Sequence, residues 1–363
     1  MTEKYRRPKN LNGKSRSVLE AKFEAQKLAF APLSFHAAKT MRDLGILEII
    51  HNSRKNGILI SQITEKLKIS NYGVSTLLEV GLGLDLVTKN DEKFFLTKTG
   101  FFILFDEMTR VNMDFVADVC YQGAQALTES IVESKPAGLK VFGDWETVYQ
   151  GLSSLPKKVQ NSWFAFDHFY SDDAFDDALP IIFKDSPKRI FDIGGNTGKW
   201  AVKCLKYNAE AKITILDLPG QLKVALENLT NLNFQNRSDF FEIDLLNPAS
   251  KIPTGSDVIW MSQFLDCFSK DQITDILQKV ANSADQNCQI YILEPFWDRQ
   301  KYEAATFSLN HTSLYFTTIA NGNSKMYSAS EMTGCIEAAG LKIDQIFDDI
   351  GNNEYTLLKC SKK

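Results

Sequence analysis

The sequence predicts an α/β protein: a mainly parallel, seven-stranded sheet domain preceded by a mostly helical N-terminal domain. Three observations carry this. From Lys188 onward, apolar runs of strand length alternate with segments of helical spacing, the signature of a parallel sheet with crossover helices. The first of these runs ends in an acid and opens into a glycine loop, IFDIGGNTGKW (190–200). Upstream, ILISQITEKLKISNYGVSTLLEVGLGLDLVTKNDEKFFLTKTG reads as helix, turn, helix and hairpin, a winged-helix arrangement.

The elements follow in order. Residues 1–17 are polar and read as a frayed or partner-wrapping arm. Leu19 to His51 has helical spacing through Phe30, Leu33, Ala37, Met41, Leu44 and Leu47, with Pro32 starting a second helix. Ser61 and Ser70 are candidate caps of the next two helices, and KNDEK is the turn of the hairpin. Residues 101–185 are helical and rich in aromatics, including Trp145 and the run Trp163 to Tyr170. The expected strands are Ile190–Asp192, Ile213–Leu216, Phe240–Ile243, Val258–Ser262 and Gln289–Leu293. A terminal hairpin closes the chain: Leu341–Phe347, a turn at Gly351-Asn352-Asn353, then Tyr355–Cys360. The domains expected are 1–105, 106–185 as a helical bridge, and 186–363.

Composition narrows the function. With 363 residues, 44% apolar content and a net charge of −4, the chain can bury two cores and has no general basic surface for nucleic acid or anionic membrane. The second helix of the winged unit, Tyr72 to Leu84, carries Glu79 and no Lys or Arg, so it has little to offer a phosphate backbone. No run reaches the ~18 apolar residues of a membrane span, and no secretory leader is evident. Six scattered cysteines without a C-x-x-C pair fit reduced thiols in a cytoplasmic protein, and four dispersed histidines give no metal site.

The glycine loop is the richest signal. Gly194 and Gly195 suit a tight strand-to-helix turn and Gly198 a close helix approach, while Asp217 ends the next strand where ribose hydroxyls are taken. The pattern is D-x-G-G-x-x-G, neither the dinucleotide G-x-G-x-x-G nor a phosphate-cradling loop. Asp192 would repel a pyrophosphate and welcome an ammonium. A ligand with an amino group, a ribose and no phosphate fits that charge pattern, and S-adenosyl-L-methionine is such a ligand.

These residues, with LGILEII, LTKTG, VFGDWETV, ILDLPGQL, EIDLL, FLDCFSKDQITDIL and IYILEP, resemble the S-adenosylmethionine-dependent O-methyltransferases of the plant caffeate and hydroxyindole type and their bacterial relatives. The resemblance spans roughly residues 19–360. It implies a Rossmann-like methyltransferase domain, a winged-helix dimerisation domain, a homodimer formed through the N-terminal domain, and a small-molecule substrate. It implies that Asp192, Gly194 and Gly195 hold the methionine moiety, Asp217 and Leu218 the ribose, and Asp244 and Leu245 the adenine, with Gln263 at the cofactor end of the cleft.

One departure stands out. The family's catalytic histidine lies in L-H-D-W-S, which aligns here with Leu265-Asp266-Cys267-Phe268-Ser269, so Asp266 stands in its place. One supporting glutamate is retained as Glu294, and the other falls near Met326. A phenol has a pKa of ~10, histidine ~6.5 and aspartate ~3.9, so an ordinary aspartate is mismatched by ~6 units, about 8 kcal/mol. Burial raises a carboxyl by up to ~3–5 units. The open alternatives are Asp266 as base, catalysis by proximity alone, an acceptor more acidic than a phenol such as a carboxylic acid, and His311 as base. His311 shares a helix face with Ala304, Phe307 and Tyr315. A relative that keeps the cofactor but has lost methyl transfer, and a winged-helix ligand sensor, are the competing readings.

Overall fold

The computed structural model describes residues 16–171, 174–352 and 354–363. Most of the expected N-terminal arm, and Asn353 of the expected turn, lie outside the described residues. The chain divides into two compact units, Asn12–Asp118 and a second that holds Val119–Lys363. Residues 119–185 therefore cluster with the sheet, and the helix Glu107–Phe115 with the N-terminal unit.

In the first unit the helices Ala31–Asp43, Ile46–Ser53, Ile60–Leu67 and Asn71–Gly83 close on a core of Met41, Ile46, Leu47, Ile50, Ile63, Val74 and Leu78. Pro32 falls in the first turn of its helix, where its missing N–H costs nothing. Ser70 caps the helix Asn71–Gly83 by accepting from the Gly73 N–H. Ser61 does not cap: its helix starts at Ile60, and the Gln62 side chain accepts from the Leu59 N–H instead. Strands β1 (Val87–Asn90) and β2 (Lys93–Leu96) form the hairpin, turning through Asp91 at φ +51°. The first helix, Val18–Ala29, has no buried residue although it carries Val18, Leu19, Phe23 and Leu28.

The second unit is built on seven strands: β3 (Arg189–Ile193), β4 (Lys212–Asp217), β5 (Ser238–Glu242), β6 (Val258–Ser262), β7 (Gln289–Glu294), β8 (Leu341–Ile350) and β9 (Tyr355–Lys362). Their order across the sheet is β5-β4-β3-β6-β7-β9-β8. The first five are parallel, whereas β9 runs antiparallel to both β7 and β8. The returning arm of the terminal hairpin is thus inserted, and β8 forms the edge. That placement buries Tyr355, Leu357 and Leu358, while β8 alternates with exposed positions as an edge strand tolerates.

Both sheet faces are covered, which is why the parallel strands read as near-continuous apolar runs. Ile190, Ile213, Trp260 and Tyr291 pack on one face against Trp200, Ala201 and Leu205 of the helix Lys199–Tyr207. Phe191, Ile193, Met261 and Ile292 pack on the other against Ile273, Ile276 and Leu277 of the helix Lys270–Ser283. The chain leaves β3 for β4 and β5 on one side and crosses to β6 and β7 on the other. The β3/β6 boundary is therefore a topological switch point, where the loops at the carboxyl ends of the strands part and leave a crevice.

Candidate active site

The loops at that switch point hold the predicted residues. Gly194 ends β3 with φ +71°, and its N–H donates to the Leu216 carbonyl at 2.9 Å. A Cβ there would overlap the Phe264 ring. At Gly195 a Cβ would stand 2.6 Å from Asp192 Oδ2. The two glycines let Phe264 and Asp192 approach the turn from opposite sides, which any side chain would prevent.

Asp192 is 2% exposed and its Oδ2 has no hydrogen-bond partner. Burial, with a smaller contribution from the neighbouring Asp217 charge, pushes its pKa up to about 8. Asp217 sits opposite at the end of β4. Its Oδ2 accepts from the Asn196 N–H at 2.9 Å and its Oδ1 from the Leu218 N–H at 2.7 Å. Burial raises its pKa as well, and those two N–H donors oppose the rise. Leu218 is exposed at the crevice edge. One strand further out, Asp244 is exposed, and its Oδ1 accepts from the Leu246 N–H at 2.9 Å. Leu245 beside it is buried, with its carbonyl held by Lys279. The carboxyl ends of β3, β4 and β5 thus present Asp192, Asp217 and Asp244 in a row.

This row fits S-adenosylmethionine. A buried, unpartnered carboxyl at Asp192 calls for a cationic donor, and an ammonium is one. The turn has no space for side chains, and Asp217 keeps lone pairs for hydroxyls. Gln263 has a different occupation. At φ +46° it ends β6, its side-chain amide donates to the Tyr170 carbonyl at 3.1 Å and to the Tyr355 hydroxyl, and its N–H donates to Leu293. Its amide nitrogen is spent within the protein, so it shapes the loop.

Past Gln263 the chain makes a short 3₁₀ turn, Leu265–Cys267. Glu294, at the end of β7, fixes it: Oε1 accepts from the Phe264 N–H at 3.1 Å and the Leu265 N–H at 2.9 Å. Oε2 is buried without a partner. Asp266, 7% exposed, is held beside Glu294, and the Cys267 thiol donates to its Oδ1 at 3.5 Å. Burial raises the Asp266 pKa to about 6. Burial, then the Asp266 charge, drives Glu294 well above the carboxylate range. One residue that sequence reasoning missed joins the cluster, Tyr149, whose buried hydroxyl lies beside the Cys267 thiol. Tyr315, expected on the inward face of its helix, accepts from Trp163 Nε1 at 2.7 Å. The signal for Tyr149 lay in FGDWETVYQG: Gly143 and Gly151 are glycines because the Trp145 ring fills the space where their side chains would stand.

The structure does not bring His311 to this cluster. Its ring is exposed, stacked on Phe307 with centroids 3.9 Å apart, and Nδ1 lies 2.7 Å from the Phe307 carbonyl. The face expected to point inward splits: Tyr315 is buried, while Phe307 is 63% exposed. Met326 is buried and adds no charge. Among the described residues there is no cluster of metal-ligating side chains, and no helix is long and apolar enough to cross a membrane.

Comparison with known proteins agrees with this geometry. A Dimerisation2-like domain matches residues 22–94 and an O-methyltransferase domain matches residues 177–342. The L-tyrosine C(3)-methyltransferase of Streptomyces lavendulae is 20% identical over 317 residues, covering 86% of this chain and 85% of that one. The apo structure of the S-adenosylmethionine-dependent methyltransferase SibL superposes with a TM-score of 0.68 at 20% identity, over 93% of this chain and 98% of the other. The O-methyltransferase NcsB1 from neocarzinostatin biosynthesis, solved with S-adenosylmethionine and 2-hydroxy-5-methyl naphthoic acid, gives 0.61 at 16% identity, over 91% and 96%. With both domains matched in order, the chain belongs to the S-adenosylmethionine-dependent O-methyltransferases.

Proposed function

We propose that this enzyme methylates the hydroxyl of a small phenolic aromatic molecule, with Asp266 as the base. The observation that carries the reading is the burial of Asp266 beside Glu294. An ordinary carboxylate is too weak a base for a phenol, but at a pKa of about 6 Asp266 nearly matches the imidazole it replaces, ~6.5. The gap to a phenol at ~10 is then ~4 units, about 5 kcal/mol, which concerted transfer and alignment can offset.

The roles follow from position. Asp192 and the Gly194-Gly195 turn hold the methionine ammonium and backbone, Asp217 the ribose, and Asp244 with Leu245 the adenine edge. The bound S-adenosylmethionine supplies an electrophilic methyl on a sulfonium. Asp266 would accept the acceptor hydroxyl's proton on a carboxylate oxygen as that oxygen takes the methyl, with S-adenosylhomocysteine as the leaving product. Burial and the Asp266 charge favour the neutral form of Glu294. Its Oε1 is committed to two N–H groups, while Oε2 has no partner among the described residues.

The match to an L-tyrosine C(3)-methyltransferase over most of both chains favours one second reading, transfer to the ring carbon beside the hydroxyl. Both outcomes need the same phenolate. Incubating the enzyme with a panel of phenols and methyl-labelled S-adenosylmethionine, then locating the label by NMR, tests the proposal. Label on oxygen supports it, label on carbon moves the acceptor atom, and no labelled phenol defeats it.

A further inference from the structure

The acid cluster lacks a counter-charge. Among the described residues no Lys, Arg or His pairs with Asp266 or Glu294, while ion pairs are frequent over the surface of the same unit, as at Lys203–Asp176 and Lys325–Glu331. Among the described residues, the charges that act on the groups of the cluster come from acids. Asp266 acts on Glu294, Cys267 and Tyr149; Glu294 acts on Cys267; Asp167 acts on Tyr315. His168, the nearest base in sequence to Asp167, already faces that acid with Nδ1 3.8 Å from Asp167 Oδ2.

One carboxyl oxygen in the cluster, Glu294 Oε2, is buried and unpartnered. Aromatic rings stand beside it: Phe264, whose N–H donates to the same carboxyl, packs on Phe268 with ring centroids 4.9 Å apart. A buried polar group without a partner is costly, so the cluster is shaped for an incoming ligand that satisfies it. In so dry a setting charges act strongly on one another. A carboxylate on the acceptor ring would add a further acid to a site whose acids, among the described residues, have no cationic side chain paired with them. An ammonium would supply the missing counter-charge.

We propose that the acceptor site sorts phenols by charge, taking ammonium-bearing phenols ahead of neutral ones and refusing aromatic carboxylates. This rests on the phenolic reading above. It separates the chain by substrate class from the hydroxynaphthoic acid ligand of its structural neighbour.

The test uses three probes of similar size: 4-hydroxybenzylamine, 4-methylphenol and 4-hydroxyphenylacetate. Each is titrated calorimetrically into the full-length protein saturated with S-adenosylhomocysteine. The expected order of affinity is amine, then neutral, then carboxylate, with at least tenfold between the ends. Asp266→Asn should narrow that spread by most of its width, and Glu294→Gln far less. The melting temperature and S-adenosylhomocysteine affinity of each variant establish that it is folded. Carboxylate binding as tight as the amine's overturns the proposal, as do equal affinities, including no binding by any of the three. Binding reads the charge rule apart from turnover. If the order holds but no phenol is methylated, only the phenolic reading fails. If a phenol is methylated but the order reverses, only the charge rule fails.

Discussion

Asp266 is the proposed base, and burial raises its pKa. Asp266→Asn should lower kcat by about 10²–10⁴-fold, the usual worth of general-base assistance, while S-adenosylhomocysteine affinity stays within a few-fold. The sign of the pH dependence follows from the pKa. Asp266 accepts a proton only when ionised, so kcat should climb through pH ~6 and level off above it. The groups facing it, Glu294, Cys267 and Tyr149, all have pKa values raised by burial. A stopped-flow or discontinuous pH–rate profile with the midpoint below 5 would contradict the assignment. Gly194→Ala is the matching test of the cofactor turn. The new methyl meets the Phe264 ring at a positive φ, so S-adenosylhomocysteine binding should weaken at least tenfold.

At the level of elements, the proposed seat of the ammonium at the glycine turn would couple cofactor binding to a proton. Asp192 with a pKa of about 8 is mostly protonated at pH 7 in the free protein, and an ammonium beside it favours the ionised form. Binding should therefore release close to one proton at pH 7 and strengthen as pH rises to 8, measured as a buffer-dependent calorimetric enthalpy. In the free protein the same raised pKa acts on folding. The cost of ionising Asp192 is absent below its unfolded pKa of ~4 and fully present above 8, so Asp192 makes the fold less stable as pH rises across that window.

What the sequence made legible divides along the same line. The turn and Asp217 were legible because a strand, its loop and the next strand are contiguous in sequence, and their chemistry is local. Asp266 was legible through its alignment with a motif, but its burial was not. That burial comes from Glu294 and Tyr149, which the sheet and the Trp145 corner bring in from far along the chain. His311 shows the opposite limit. Helical periodicity groups Phe307, His311 and Tyr315 on a face but cannot say which part of it turns to solvent. The antiparallel pairing of the terminal hairpin was legible from its length and turn, whereas the insertion of β9 between β7 and β8 depends on which strand buries both faces.

For the whole molecule, the first helix is the clearest sign of a partner. Val18–Ala29 buries nothing on its own chain, while Val18, Leu19 and Leu28 are each more than three-quarters exposed and Phe23 more than half. Such a helix is marginal alone in water. With a dimerisation domain over 22–94, a second copy of the chain is the expected cover. Light scattering should report a dimer, and a Phe23→Glu, Leu28→Glu double variant should shift it toward monomer.

Beneath the glycine turn, Trp200 and Trp260 stack with ring centroids 4.0 Å apart, and Trp260 is the register partner of Asp192 on the adjoining strand. Residues paired across adjacent strands point to the same face, so the carboxyl and the indole pair are neighbours. Indole emission responds to the electric field around it. If Asp192 holds the cofactor's ammonium as proposed, the charge it gains should shift the colour of the tryptophan emission, and that shift would serve as an optical gauge of loading.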